Sequence, residues 1–272
     1  MTKSEYIMYF CEYLKNKTSG KSNKKIIAKL NLFHPIFRDL DEATFSRWIN
    51  NRVTPSNKKI ALMILYFKDD YIEILSILEL KPITKSFEKK VDIKEKKLSD
   101  PYFSFYDKCK VYEFNNLIDF NKTIPNKYNI ETIIDPFQNS IKKAIFFKGY
   151  RSYAYSFYLN VKKDTFWPMG ASILPKGQYI ITPPTYQTHM ETHNEILYCI
   201  LSYVCENLTD VLMNVKILHI AKTNEFSEYY SLLGYQKPTI ISNINNTPYY
   251  IYETLLIDHI TSDRMIHLTK YY

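Results

Sequence analysis

Residues 41–55 read DEATFSRWINNRVTP, and how this stretch is read decides the architecture of the first third of the chain. Asp41 is a strong helix N-cap, and Glu42 suits the positive end of the helix dipole. Phe45, Trp48 and Ile49 stand at i, i+3 and i+4, so they share one side of that helix. Thr44, Ser46, Arg47, Asn50 and Asn51 are left for the other side, and Pro55 closes the segment. The apolar side asks for a core. The polar side holds the residue types that reach base edges and phosphates in duplex nucleic acid: Arg forks onto guanine, Asn onto adenine, Ser and Thr onto either.

The flanking sequence supplies that core. Tyr6, Ile7, Phe10, Cys11 and Leu14 form a helical stripe over residues 4–15. Gly20 and Ser22 break and cap, and residues 23–32 predict a second helix with Ile26, Ile27 and Leu30 inward and Lys21, Lys24, Lys25 and Lys29 outward. Residues 31–40, NLFHPIFRDL, contain Pro35 and predict a short helical turn packed by Phe33, Ile36 and Phe37. Ser56 caps a helix through Tyr66, and Asp69 or Asp70 starts another to about Leu80. The stretch ATFSRWINNRVTPS (residues 43–56) resembles the recognition helix and following turn of phage-repressor-type (Cro-like, XRE) helix-turn-helix proteins, with their Ser-Arg/Lys-Trp core, turn, basic residue and Pro. The resemblance implies an all-helical DNA-binding head over residues 1–80. In such a head the preceding helix offers its N-terminal end to phosphate. The residues expected on DNA are Lys24, Lys25, Thr44, Ser46, Arg47, Asn50, Asn51, Arg52 and Lys58. The turn over 31–40 is longer than the family's usual three or four residues, which leaves the angle between the two helices open.

Charge is divided unevenly. The chain carries +8; residues 1–68 hold 13 basic and 5 acidic residues, and the remainder holds 23 of each. A neutral body with a basic N-terminal part is the electrostatic pattern of a nucleic-acid-binding head. Cys11, Cys109, Cys199 and Cys205 have neither metal spacing nor a disulfide framework, which predicts reduced thiols and a cytoplasmic protein. The start, MTKSEYIMYFCEYL, has no signal-peptide pattern, and the longest apolar run, around Ile196 to Val204, falls far short of a membrane span.

Residues 81–100, KPITKSFEKKVDIKEKKLSD, are dense in charge and read as a linker or an exposed helix. Beyond them, strands are expected over residues 110–115, 154–162, 167–174, 178–183, 215–221, 235–242 and 249–258. Helices are expected over 129–143, 189–207 and 224–233, the last closed by Gly234. Pro175-Lys176-Gly177 predicts a hairpin turn between the strands on either side. The fold class is therefore α+β, a helical head followed by a mixed sheet with flanking helices over residues 101–272.

The strand-helix-strand-helix order and the segment YSLLGY (Tyr230 to Tyr235) resemble the GNAT N-acetyltransferase fold. The resemblance implies a general acid at Tyr230 and a cofactor contact near Asn224, which lies one residue closer to the glycine than the family spacing. That family holds the acetyl-CoA pyrophosphate on Arg/Gln-x-x-Gly-x-Gly/Ala before its long helix, where small residues let backbone N–H groups approach. Residues 182–195, TPPTYQTHMETHNE, contain no Gly, two Pro and acidic residues. This predicts a GNAT-like domain that is not an acetyl-CoA enzyme and that uses no cofactor. His189 and His193, with Glu191 between them, have the spacing of a metal pair but no third ligand, and no metal site is expected.

The reading is a sequence-specific, DNA-binding transcriptional regulator. Its C-terminal domain would dimerise, sense a small molecule or contact another protein. The alternatives are a DNA-associated N-acetyltransferase using acetyl-CoA and an interaction protein whose helical head binds protein.

Overall fold

The computed structural model describes residues 8–98, 109–124, 133–149, 152–167, 172–183, 190–244 and 247–270. The chain divides into two units. The first comprises residues through Ile83 together with those from Ile266 onward, and the second runs from Thr84 to Met265.

The first unit holds helices α1 (Phe10–Thr18), α2 (Asn23–Phe33), α3 (Glu42–Ile49), α4 (Asn57–Phe67) and α5 (Tyr71–Ile77). The capping residues act as their chemistry dictates. Asp41 accepts from the Thr44 N–H at 2.6 Å, Asp70 from the Glu73 N–H at 2.9 Å, and Ser56 from the Lys59 N–H at 3.4 Å. Each satisfies an N–H that the first helical turn leaves unpaired. A 3-10 turn over Pro35–Phe37 fills the long connection between α2 and α3, with Phe37 fully buried and Ile36 half-buried. Phe33 is half-buried too, its ring edge-on to Tyr66 at 5.6 Å. The stripe Ile26, Ile27 and Leu30 of α2 is buried, as are Phe45 and Trp48 of α3, whose rings meet edge to face at 6.2 Å. α3 stops before Pro55: Asn50 caps it, and Asn51 takes a left-handed φ of 55°, a conformation that short polar Asn tolerates better than most residues.

The end of the chain was expected in the C-terminal domain and belongs instead to the first unit. Lys270 Nζ donates to the backbone oxygens of Ser76 at 3.1 Å and Leu78 at 2.5 Å, supplying partners at the C-terminus of α5. The charged stretch after residue 80 is helical over Lys85–Leu98 (α6) and falls in the second unit. Phe87, Val91 and Lys94 lie four and three apart, and Phe87 and Lys94 are buried.

The second unit is built on a seven-stranded sheet in the order β1-β2-β3-β6-β7-β9-β8. Its strands are β1 (Lys110–Phe114), β2 (Ile141–Gly149), β3 (Ser152–Val161), β6 (Gly177–Thr182), β7 (Val215–Ala221), β8 (Thr239–Ile244) and β9 (Thr247–Leu255). All neighbours are antiparallel except β6 and β7, which run parallel and are joined through α8 (Met190–Asn207). The helices α7 (Leu117–Thr123), α9 (Ser227–Leu232), α10 (Leu256–Ile260) and α11 (Asp263–Leu268) complete the unit, the last crossing its boundary. Strand alternation sorts the side chains. Ala144, Phe146, Phe157, Leu159, Ile181, Leu218 and Ile220 enter one core with Phe120, Phe137 and Trp167. Ile145, Phe147, Ala154, Ile180 and Ile217 point the opposite way, toward Ile196, Leu197 and Val204 of α8. Burial on both faces explains the near-continuous apolar run of β7.

Three sequence expectations change here. The helix expected over 129–143 is interrupted, since Asp135–Ser140 forms a 3-10 turn begun by Pro136 and residues from Ile141 join the sheet as β2. The alternating Ala144-Ile145-Phe146-Phe147 suits a strand with two covered faces better than a helix stripe. The single strand expected over 167–174 is instead a two-stranded pair, β4 (Thr165–Trp167) with β5 (Ser172–Leu174). Pro175 to Gly177 therefore does not close a hairpin, and β6 pairs with β3 and β7. No described helix is long and apolar enough to cross a membrane.

Candidate functional site

The residues expected on DNA occupy the outer side of the first unit. Lys24 and Lys25 are exposed in the first turn of α2, which packs on α3. Ser46, Arg47, Asn50, Asn51 and Arg52 are exposed, and Thr44 and Lys58 are half-buried. The capping bond to the Thr44 N–H, followed by burial and the Arg47 charge in opposite senses, holds the Asp41 carboxyl below its usual range. Arg47 and Arg52 are brought together by the turn, since the Arg52 N–H donates to the Arg47 carbonyl at 2.9 Å. Asn50 Nδ2 donates to the Ser46 carbonyl at 2.9 Å and approaches Ser46 Oγ at 3.3 Å, so its carbonyl oxygen remains the outward group. Lys59 sits with its amine 5.6 Å from the Trp48 ring, a cation–π contact that ties the start of α4 to the back of α3.

The second unit contains a site the sequence reading did not find. A cavity of about 70 Å³ available to the centres of water molecules lies between α8 and the sheet, with α6, α9 and α10 at its rim. Its walls include the aliphatic Ile145, Ile200, Val204 and Ile217. They also include Lys94, His193, His219, Tyr230, Tyr235 and His259, with Ser156, Thr182 and Tyr203. Lys94 is 6% exposed. Its amine stands 3.9 Å from the Phe226 ring centroid and within 6 Å of Tyr229 and Tyr230, at 5.8 and 5.9 Å. Burial pushes its pKa down to about 8.

The histidines are held neutral. Burial, reinforced by Lys94 and Arg264, keeps His193 well below the usual imidazole range, and burial lowers His219 to about 3 and His259 to about 4. His219 Nδ1 is 3.0 Å from Thr182 Oγ1, at the end of the parallel β6–β7 pair. His259 Nδ1 donates to the Leu233 carbonyl at 2.8 Å. His193 Nε2 lies 2.7 Å from Tyr229 Oη, while its Nδ1 has no partner. The contact with Tyr229 suits either neutral tautomer: where the Tyr229 O–H donates to Nε2, the ring proton stands on the unpartnered Nδ1.

Tyr230 lines this cavity rather than the core beneath the sheet, and burial raises its pKa well above the ordinary phenol value. Asn224 is exposed beyond the end of β7. Of the metal pair, His193 is engaged with Tyr229, while His189 lies outside the described residues, as do residues 184–188 of the 182–195 loop. Among the described residues no three His, Cys, Asp or Glu side chains gather as metal ligands. The four cysteines are free thiols, but Cys109 and Cys199, 90 residues apart, perturb each other, the interaction raising the Cys109 thiol and lowering Cys199. Spacing along the chain carried no signal of that pair.

No protein-family profile, curated protein or solved structure matches the chain.

Proposed function

We propose that the protein is a sequence-specific DNA-binding transcriptional regulator, with α2, the 35–37 turn and α3 forming a helix-turn-helix whose α3 enters the major groove. The observation that carries this reading is the division of α3. Phe45 and Trp48 are buried and fix the helix, while Ser46 and Arg47 on the same eight residues, and Asn50 at its C-cap, stand exposed. The segment through residue 68 also holds the whole of the chain's net charge. A fixed helix with an exposed Arg and Asn is what base readout requires, and exposed lysines beside it supply phosphate contacts. The second unit would serve as a GNAT-like sensory and dimerising domain in a cytoplasmic homodimer, its two heads set about one DNA turn apart.

Selection of bound DNA from a random pool, followed by competition binding, tests the reading. Inverted half-sites should emerge, and Arg47→Ala should cost about 1–3 kcal/mol on the selected site and relax preference at one position. An Arg47→Ala protein with unchanged specificity would remove α3 from the groove.

One observation favours a second reading, an N-acetyltransferase: Tyr230, the residue matching the family's general acid, lines the cavity. Calorimetry with acetyl-CoA decides between them, since the regulator reading predicts no heat of binding at sub-millimolar concentration.

A further inference from the structure

We propose that the cavity of the second unit binds a small monocarboxylate with an apolar body, the carboxylate meeting Lys94 Nζ and His193 Nδ1 in the tautomer that carries its proton there. The inference goes beyond DNA binding and does not rest on it.

The charge balance of the cavity argues first. Lys94 is buried, and among the described residues no carboxylate pairs with its amine, which meets only the faces of aromatic rings. Aromatic faces offset part of the desolvation of an ammonium group, far less than a carboxylate does. No Asp or Glu lies among the described residues lining the cavity. His193 adds a buried ring nitrogen, Nδ1, with no hydrogen-bond partner, a donor in the tautomer whose Nε2 accepts from Tyr229. A buried donor left unpaired costs free energy that a bound acceptor recovers. Lys94 and His193 thus line a space with no carboxylate among its described lining residues.

The aliphatic walls select the body of the ligand. Ile145, Ile200, Val204 and Ile217 offer no polar group to a sugar or a zwitterion. A metal ion or an amine would meet Lys94 with no acid to balance it. Phosphate, with four oxygens and a second charge, would strand oxygens against aliphatic carbon. A single carboxylate with a short aliphatic or aromatic tail leaves no group unmatched. A water needs about 10–15 Å³ of such space, so the cavity holds roughly five to seven waters, the bulk of about a four- to six-carbon acid.

The test uses the full-length protein without DNA, so its failure leaves the DNA reading untouched. Calorimetry would be run with the sodium carboxylates from acetate to octanoate, with hexan-1-ol and hexylammonium as neutral and cationic counterparts, and with inorganic phosphate. One carboxylate of intermediate length should bind one per chain, at least about tenfold tighter than hexan-1-ol, because a charge-assisted contact is the difference between them. Lys94→Met, which keeps most of the length of the side chain and removes its charge, should weaken the carboxylate by about tenfold or more and leave hexan-1-ol unchanged. Val204→Phe, which fills space beside the aliphatic walls, should abolish both. The proposal is overturned if no carboxylate in the series binds at about 10 mM, if hexan-1-ol or phosphate matches the best carboxylate, or if Lys94→Met binds that carboxylate as the unsubstituted protein does.

Discussion

In the first unit Lys24, Lys25, Arg47 and Arg52 stand in solvent around a helix whose other side is core, whereas in the second unit Lys94 and Arg264 are buried at 6% and 3% exposure. The exposed set keeps its hydration, so its charges sum into a field that attracts a polyanion from a distance and falls with salt. The buried pair has lost its water. Arg264 recovers a hydrogen bond to Asn194, while Lys94 recovers ring faces. A positive charge on the outside thus speaks to large, solvated partners, and one on the inside to a small ligand that can leave water behind with it.

The two tryptophans fall one in each unit, Trp48 and Trp167, so each unit can be followed separately by fluorescence. The largest effect is expected at the anchor of the exposed set. Trp48→Ala should destabilise the first unit by about 3–5 kcal/mol in urea denaturation followed by circular dichroism, while leaving Trp167 emission native. If the first unit kept its stability, the exposed face of α3 would not depend on the buried one.

Lys94→Met should act with the opposite sign. The folded-state pKa of about 8 lies below the ordinary 10.5, so burial disfavours the charged form in the folded protein. Below pH 8 both states carry the proton and the penalty is complete. Between pH 8 and 10.5 the folded state releases its proton first, and stability rises. His193, His219, Tyr229 and Tyr230 face the amine, and their shifts carry the imidazoles below this window and the phenols upward. The substitution should therefore stabilise the second unit by about 3 kcal/mol near neutral pH, a gain that fades toward pH 10.5. Urea midpoints at several pH values, read from Trp167, check it, and a pH-independent gain would point to packing instead of charge.

Gly234→Ala should cost roughly 2–3 kcal/mol in the same unit. Its φ is +82°, and a Cβ there would stand 2.7 Å from the Asp258 backbone oxygen, so both conformation and space resist a side chain. Thermal melts of the second unit measure this, and an unchanged midpoint would mean that the α9–α10 approach yields easily. The smallest effects belong to the exposed lysines. Lys24→Ala and Lys25→Ala should each leave the stability of both units unchanged, weaken all DNA sequences alike, and lower the slope of log affinity against log salt by about one. A loss confined to the preferred sequence would place these lysines on bases.

The α3 helix was legible because its causes are local. Asp41 caps it, and Phe45 and Trp48 recur at the helical period, so the sequence alone determined its start, its buried side and its exposed side. The same holds for β7 over Val215–Ala221, for α8 and for the positive φ of Gly234, each set by composition or period within a few residues. The split of net charge along the chain needed no structure at all. Strand pairing was not legible. Ile141–Gly149 became a strand through its partners β1 and β3, and β4 found β5 instead of extending through residues 167–174. The cavity was still less so. Lys94 comes from a stretch whose charge reads as solvated, His193 from a helix start, His219 from mid-strand and Tyr230 from a segment noted for another role. Only tertiary structure brought these residues together, because desolvation belongs to the neighbours that displace water, and those neighbours come from α6, α8, β7 and α9.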